Sequence, residues 1–203
     1  MNFRYKFSIV LVILGAISAI MSLGGQRKDS VSAEEILSVL MQGKSEISAD
    51  KLAEIIVEED SSYQLVDVRP AEQYKLQSIP GARNIPISDL FNPANKPILE
   101  TQNIQTIFYS SDGVLAAQAW VLAMQKSFTN VMMLKGGLAE WDSLVMKSSF
   151  EKERITAQEN KLYETRYKAR RLFTQWNSMP DSLKAGFFKL KQKNDKNLVG
   201  GCE

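Results

Sequence analysis

The chain has 203 residues, 44% hydrophobic and 24% charged, which suits one ordinary domain with appendages and excludes wholesale disorder. Histidine is absent and the one cysteine is Cys202, so zinc sites built on His and Cys, histidine-based catalytic triads and intrachain disulfides are excluded. The net charge of +2 hides a division: residues 29–145 carry 8 Lys/Arg against 16 Asp/Glu, and residues 146–203 carry 13 against 7. An acidic centre followed by a basic tail suits an acidic partner, an anionic membrane, or contact between the tail and its own domain. Nothing in the chain resembles a nucleic-acid module, so no nucleic-acid partner is expected.

In chain order, Arg4 and Lys6 precede an uncharged run over residues 7–25. A helix needs ~17–25 residues to cross the hydrocarbon core, and the apolar part of a secretory signal is usually ~7–15. Residues 1–28 therefore read as an uncleaved signal-anchor, a membrane contact through an apolar N-terminal helix. The small residues Ser22, Gly24 and Gly25 leave a cleaved secretory signal as the alternative. Arg4 and Lys6 oppose Arg27 and Lys28, and the slight bias places the bulk of the chain outside the cytoplasm, in the periplasm if the source is bacterial.

Residues 29–46 read as a linker helix. Ser32 and Glu35 form a capping-box pattern, Ile36, Leu37, Val39 and Leu40 follow, and Gly43 is the stop. Ser48 is placed to cap a helix whose apolar face is Leu52, Ile55 and Ile56. "YQLVDVR" (residues 63–69) has the apolar run of a buried parallel strand, and Pro70 opens a short helix containing Tyr74. Pro80-Gly81 is turn chemistry, Ile85 begins another apolar patch, and "FNPANKP" reads as a surface loop. Ile107, Phe108 and Tyr109 form a strand, followed by a polar loop around Gly113 and a helix from about Leu115 to Lys126. "NVMMLKGG" is a strand ending in a Gly-Gly turn, and Leu138, Trp141 and Val145 share a helix face. This alternation predicts an α/β fold, a parallel sheet with helices on both faces.

The pattern changes in residues 146–203, a basic helical tail. Ile155, Leu162, Ala169 and Trp176 recur every seven residues, with Leu172 and Phe173 beside them, predicting a long amphipathic helix that ends before "NSMP". Pro180 and Asp181 open a second, basic helix, "DSLKAGFFKLKQK", which packs on the domain or, alternatively, lies on a membrane surface. The chain ends in "GGCE".

Residues 47–145 resemble a rhodanese-like domain. "LVDVRPAEQY" is similar to that family's strand and "DVR" signature, "SIPGARNIP" to its "HIPGA-NIP" segment, and "VMMLKGGLAEW" to its closing "L-GG-W" element. The resemblance implies a sheet with an active loop between a strand and a helix N-terminus. In the family that loop reads Cys-x-x-Gly-x-Arg, and its thiolate carries sulfane sulfur as a persulfide. The matching residues here are Ser110, Ser111, Asp112, Gly113, Val114 and Leu115. The nucleophile position holds serine, the arginine position leucine, and the "HIPGA" histidine is Ser78. Serine forms no persulfide, no histidine is present to activate it, and leucine cannot clamp an oxyanion as arginine does. Ser110 and Ser111 are then expected to cap the following helix. Asp67 and Arg69 are expected to tie loops together, Gly81, Gly136 and Gly137 to supply turns, and Trp141 to anchor the core.

These observations imply an extracytoplasmic rhodanese-like protein whose domain acts as a binding or scaffold module without sulfurtransferase activity, a pseudoenzyme needing no cofactor or metal. Its partner would be a protein or a sulfur-species donor. The alternative is a sulfur carrier in which Cys202, on a Gly-Gly arm, resembles the sulfur-bearing tail of periplasmic sulfur-oxidation carriers. A weaker third reading is an anion sensor using the empty loop.

Overall fold

The computed structural model describes residues 31–101, 103–149, 156–184 and 186. The expected anchor over residues 1–28 and the arm bearing Cys202 lie outside the described residues. Among the described helices none is long and apolar enough to cross a membrane.

Helix α1 (Ala33–Met41) starts at Ser32, whose hydroxyl accepts the Glu35 N–H at 3.2 Å. It does more than link, because Ile36 is buried among core residues that include Val66 and Trp120. Strand β1 (Glu46–Ile47) follows, then α2 (Ala49–Glu58), where the Ser48 hydroxyl accepts the Lys51 N–H. The chain continues through β2 (Tyr63–Asp67), α3 (Ala71–Leu76) and β3 (Arg83–Asn84). Within the stretch expected to be loop, Pro97 opens a short helix, α4 (Lys96–Leu99), that buries Leu99. Proline fits a first turn because the N–H it lacks has no helical partner there. Then come β4 (Gln105–Tyr109), α5 (Val114–Gln125), β5 (Val131–Leu134) and α6 (Gly137–Trp141). Helix α6 runs on as a π-helical turn (Asp142–Met146), and the long helix α7 spans Ala157–Ser178.

The five strands are parallel, in the order β1-β5-β4-β2-β3. Alternate side chains of each strand point to opposite faces. Leu65, Ile107, Tyr109 and Leu134 pack on one side with α2, α6 and α7. Val66, Phe108 and Met133 pack on the other with α1, α4 and α5. Burial on both faces explains why these strands read as apolar runs rather than alternating ones.

Helix α7 is docked through Ala169, Phe173 and Trp176, all buried. Leu162, on the seven-residue stripe, and Leu172 beside it are exposed. A Thr156–Glu159 capping box starts the helix. Arg166 makes a two-pronged ion pair with Asp50 of α2 (2.6 and 2.8 Å), and Arg170 donates to the Met146 and Ser148 carbonyls. Residues 181–184 begin a further helical turn, where Lys184 lies 5.8 Å above the Trp176 ring.

Candidate functional site

The carboxyl ends of β2 and β4 are neighbours, with Asp67 paired in register with Tyr109. Ligand sites of parallel sheets form at such ends. Ser110 leaves β4 almost fully buried, and Gly113, at φ 87°, turns the chain into α5. A residue with a Cβ adopts that conformation badly.

The first amides of a helix have no intrahelical acceptor and normally face solvent, a cap or an anion. Here Ser110 Oγ accepts the N–H of Gly113 at 3.1 Å and of Ala116 at 3.3 Å. Asp112 Oδ1 accepts the N–H of Val114 at 3.0 Å. Capping was expected from Ser110 and Ser111, but Asp112 takes the second role. Its carboxylate sits two residues before Val114, the spacing of an Asx turn, and a negative charge suits a helix N-terminus. Ser111 instead points outward, donating to Gln73 Oε1 of α3 at 3.4 Å. Leu115 is half-buried against the α5 side of the core. The loop therefore offers a buried hydroxyl, a carboxylate and no cation.

The loop is also held from behind. Gly136 and Gly137 both have φ near 60°, and the N–H groups of Leu138 and Ala139 donate to the Ser110 and Ser111 carbonyls, each at 2.9 Å. A Cβ on Gly137 would fall on the Ser110 carbonyl oxygen and lie 2.7 Å from Gly113 N. The Gly-Gly turn thus exists for close backbone approach as much as for its own bend.

Beside the loop, Asp67 and Arg69 form a buried ion pair. Arg69 Nη2 lies 2.6 Å from Asp67 Oδ2, Nε donates to the same carboxylate, and the Arg69 backbone N–H donates to Oδ1 at 3.0 Å. Arg69 also donates to the Gln77 carbonyl, and Asn84 Nδ2 donates to the carbonyls of both Asp67 and Arg69. Burial by itself lowers the Arg69 pKa, but the hydrogen bonds and charge of Asp67 outweigh it and raise the value. Arg69 sits 5.8 Å over the Tyr109 ring, and the Tyr109 hydroxyl accepts the Ile79 N–H. Burial, then the Asp67 charge, push the Tyr109 pKa well above the ordinary tyrosine value. Arg69 is paired with its carboxylate, so it brings no free cation to the loop.

Ser78 is fully buried under α7. Its hydroxyl accepts from Trp176 Nε1 at 3.0 Å, its N–H donates to Asn177 Oδ1, and its carbonyl accepts from Asn177 Nδ2.

The structure brings together Ser110–Leu115, Gly136, Gly137, Asp67 and Arg69 at one end of the sheet. Gly81 (φ 74°) serves its turn, and buried Trp141 packs 6.0 Å from the Phe173 ring. Sequence reasoning missed Gln73, Asn84 and Asn177. Asn84 carried a weak signal in "GARNIP", and the other two carried none. Among the described residues no cluster of His, Cys, Asp or Glu is placed to hold a metal ion.

Residues 48–144 match the rhodanese-like domain family. Among curated proteins, a centrosomal protein of 41 kDa from Xenopus laevis is 38% identical over 86 residues, which is 39% of this chain and 24% of that protein. The human centrosomal protein of 41 kDa is 38% identical over 85 residues. The chain thus spans about a quarter of the length of these relatives. Among solved structures, a rhodanese-related protein from Thermoplasma volcanium is 26% identical, with a TM-score of 0.40, over 48% of this chain and 90% of that one. The rhodanese-like domain of an Anabaena protein is 21% identical, with a TM-score of 0.42, over 56% of this chain and 92% of that one. With its parallel sheet and its strand–loop–helix turn at Ser110–Leu115, the segment 48–144 is a rhodanese-like domain.

Proposed function

We propose that this protein is a membrane-anchored, extracytoplasmic rhodanese-like protein whose domain binds or positions a partner and whose active loop transfers no sulfur. The observation that carries this reading is the occupied cradle. The amides of Gly113, Val114 and Ala116 are already bonded to Ser110 Oγ and Asp112 Oδ1. A sulfane sulfur or an oxyanion would have to displace these bonds, meet the Asp112 charge, and do without a thiolate or a guanidinium. The same occupancy argues against the anion-sensor reading. What remains is a rigid turn presenting Ser111, Asp112 and Val114 to solvent.

The test is to incubate the full chain with thiosulfate and map adducts by intact and peptide mass spectrometry. No sulfur adduct on residues 110–115 is expected, and an adduct there would overturn the reading. An adduct confined to Cys202 would move the assignment to the sulfur-carrier alternative. The anchor is tested by N-terminal sequencing of the mature protein: a chain retaining Arg4 and Lys6 agrees with it, and a chain beginning near Gly25 refutes it.

A further inference from the structure

Helix α7 lies beyond the segment 48–144 that matches the family, yet its last turn is tied to the candidate site. All three polar groups of Ser78 are bonded by two adjacent residues of that turn. Trp176 Nε1 donates to the hydroxyl at 3.0 Å, Asn177 Oδ1 accepts the N–H at 2.9 Å, and Asn177 Nδ2 donates to the carbonyl at 3.0 Å. Asn177 Nδ2 also donates to the Phe173 carbonyl at 2.8 Å, which fixes the side chain on its own helix.

The next residue carries the contact onward. The Ile79 N–H donates to the Tyr109 hydroxyl at 3.1 Å, and Tyr109 is the last residue of β4, immediately before Ser110. Ser110 Oγ in turn accepts the N–H groups of Gly113 and Ala116. A second link runs through α3. The Tyr74 hydroxyl donates to the Ala82 carbonyl at 2.7 Å, and Gln73 beside it accepts from the Ser111 hydroxyl. The segment between α3 and β3 is therefore shared, held on one side by α7 and on the other by the elements that carry the loop.

The grip of α7 itself is light. Of its 22 residues three are buried, Ala169, Phe173 and Trp176. Its ion pair with α2 is partly exposed, with the Arg166 side chain at 21% and that of Asp50 at 31%. Elements with few buried apolar side chains open more readily than a core. The central strands are the opposite case, with Val66, Ile107 and Phe108 fully buried.

We propose that α7 is a detachable strap that sets the loop. Docked, its last turn holds Ser78 and Ile79 and, through Tyr109, keeps the Ser110–Leu115 turn in one arrangement. Lifted, it frees that turn and uncovers the Trp141 ring against which Phe173 packs. The coupling is reciprocal: a partner seated on the ordered loop tightens α7, and one that draws α7 away loosens the loop. The coupling does not depend on whether the loop transfers sulfur, so its failure is distinguishable from failure of the thiosulfate test.

The test is native-state amide hydrogen exchange of the full chain. The amides of Ile79, Gly113 and Ala116 are expected to open together with those of the last turns of α7, at least about tenfold faster than the amides of Ile107 and Phe108 in β4. Arg166→Ala breaks the Asp50 pair ten residues, about 15 Å, before Trp176. It should speed the α7 amides and the loop amides by one common factor, about two- to fivefold. Trp176→Phe with Asn177→Ala removes the bonds to Ser78 and keeps an aromatic ring in place. In that chain Arg166→Ala should no longer move the loop amides. Loop amides that open only with β4, that ignore Arg166→Ala while the Ser78 bonds are intact, or that still follow it once those bonds are gone would each overturn the proposal.

Discussion

Two turns leave neighbouring strands at the same end of the sheet, and they satisfy their polar groups differently. After β2, a buried carboxylate and a buried guanidinium hold each other, with Asn84 and Gln77 completing the set. After β4, a neutral hydroxyl and an exposed carboxylate take the helix amides. The first arrangement tolerates little change, because losing either charge strands the other in a low-dielectric interior. The second tolerates substitution, since any short side chain with an acceptor oxygen can satisfy those amides. The amides of Gly113, Val114 and Ala116 are therefore satisfied without a thiolate or a guanidinium in the loop.

The sharpest way to break this comparison is Asp67→Ala, which leaves Arg69 buried and unpaired. It should cost about 3–5 kcal/mol, read as a lowered urea midpoint. A loss below about 1 kcal/mol would show that Asp67 and Arg69 are not the fixed member of the two. Next is Gly137→Ala, whose methyl collides with the Ser110 carbonyl at a positive φ. A loss of about 1–3 kcal/mol is expected, together with shifted amide resonances at Ser110–Gly113. Asn177→Ala strips partners from both the N–H and the carbonyl of Ser78 and should cost about 1–2 kcal/mol. That substitution asks whether α7 belongs to the domain, and an unchanged thermal midpoint would say that it does not.

The smallest effect at neutral pH is expected from Tyr109→Phe, about 1 kcal/mol for the lost Ile79 acceptor. Its pH dependence is more informative. The folded state holds the Tyr109 proton more tightly than the unfolded state does. That stabilisation is complete below pH ~10 and is lost as pH rises beyond it. Tyr109→Phe should accordingly flatten the alkaline limb of stability against pH. An alkaline limb unchanged in the variant would refute the assignment.

The fold was legible where burial writes itself into composition. The apolar runs at Tyr63–Asp67 and Gln105–Tyr109 became the central strands, and Leu138, Trp141 and Val145 share one buried face. The two-residue strand β1 and the helix at Lys96–Leu99 were missed, because neither is long enough to show a period. The loop's position could be read from its neighbours, but its hydrogen bonds could not. Which of Ser110, Ser111 and Asp112 reaches which amide depends on the φ of Gly113 and on backbone pinning by Gly137. The role of Asn177 was invisible for a different reason: its partner Ser78 lies 99 residues away, and the link exists only after α7 has docked.

The most direct test of the central claim is the thiosulfate-dependent formation of thiocyanate from cyanide by the Cys202→Ser chain, which removes the only thiol and leaves the loop untouched. With the cradle amides held by Ser110 and Asp112, no turnover above the uncatalysed rate is predicted. Sustained thiocyanate formation by that variant would contradict the account, since it would show that a loop without a thiolate still transfers sulfur.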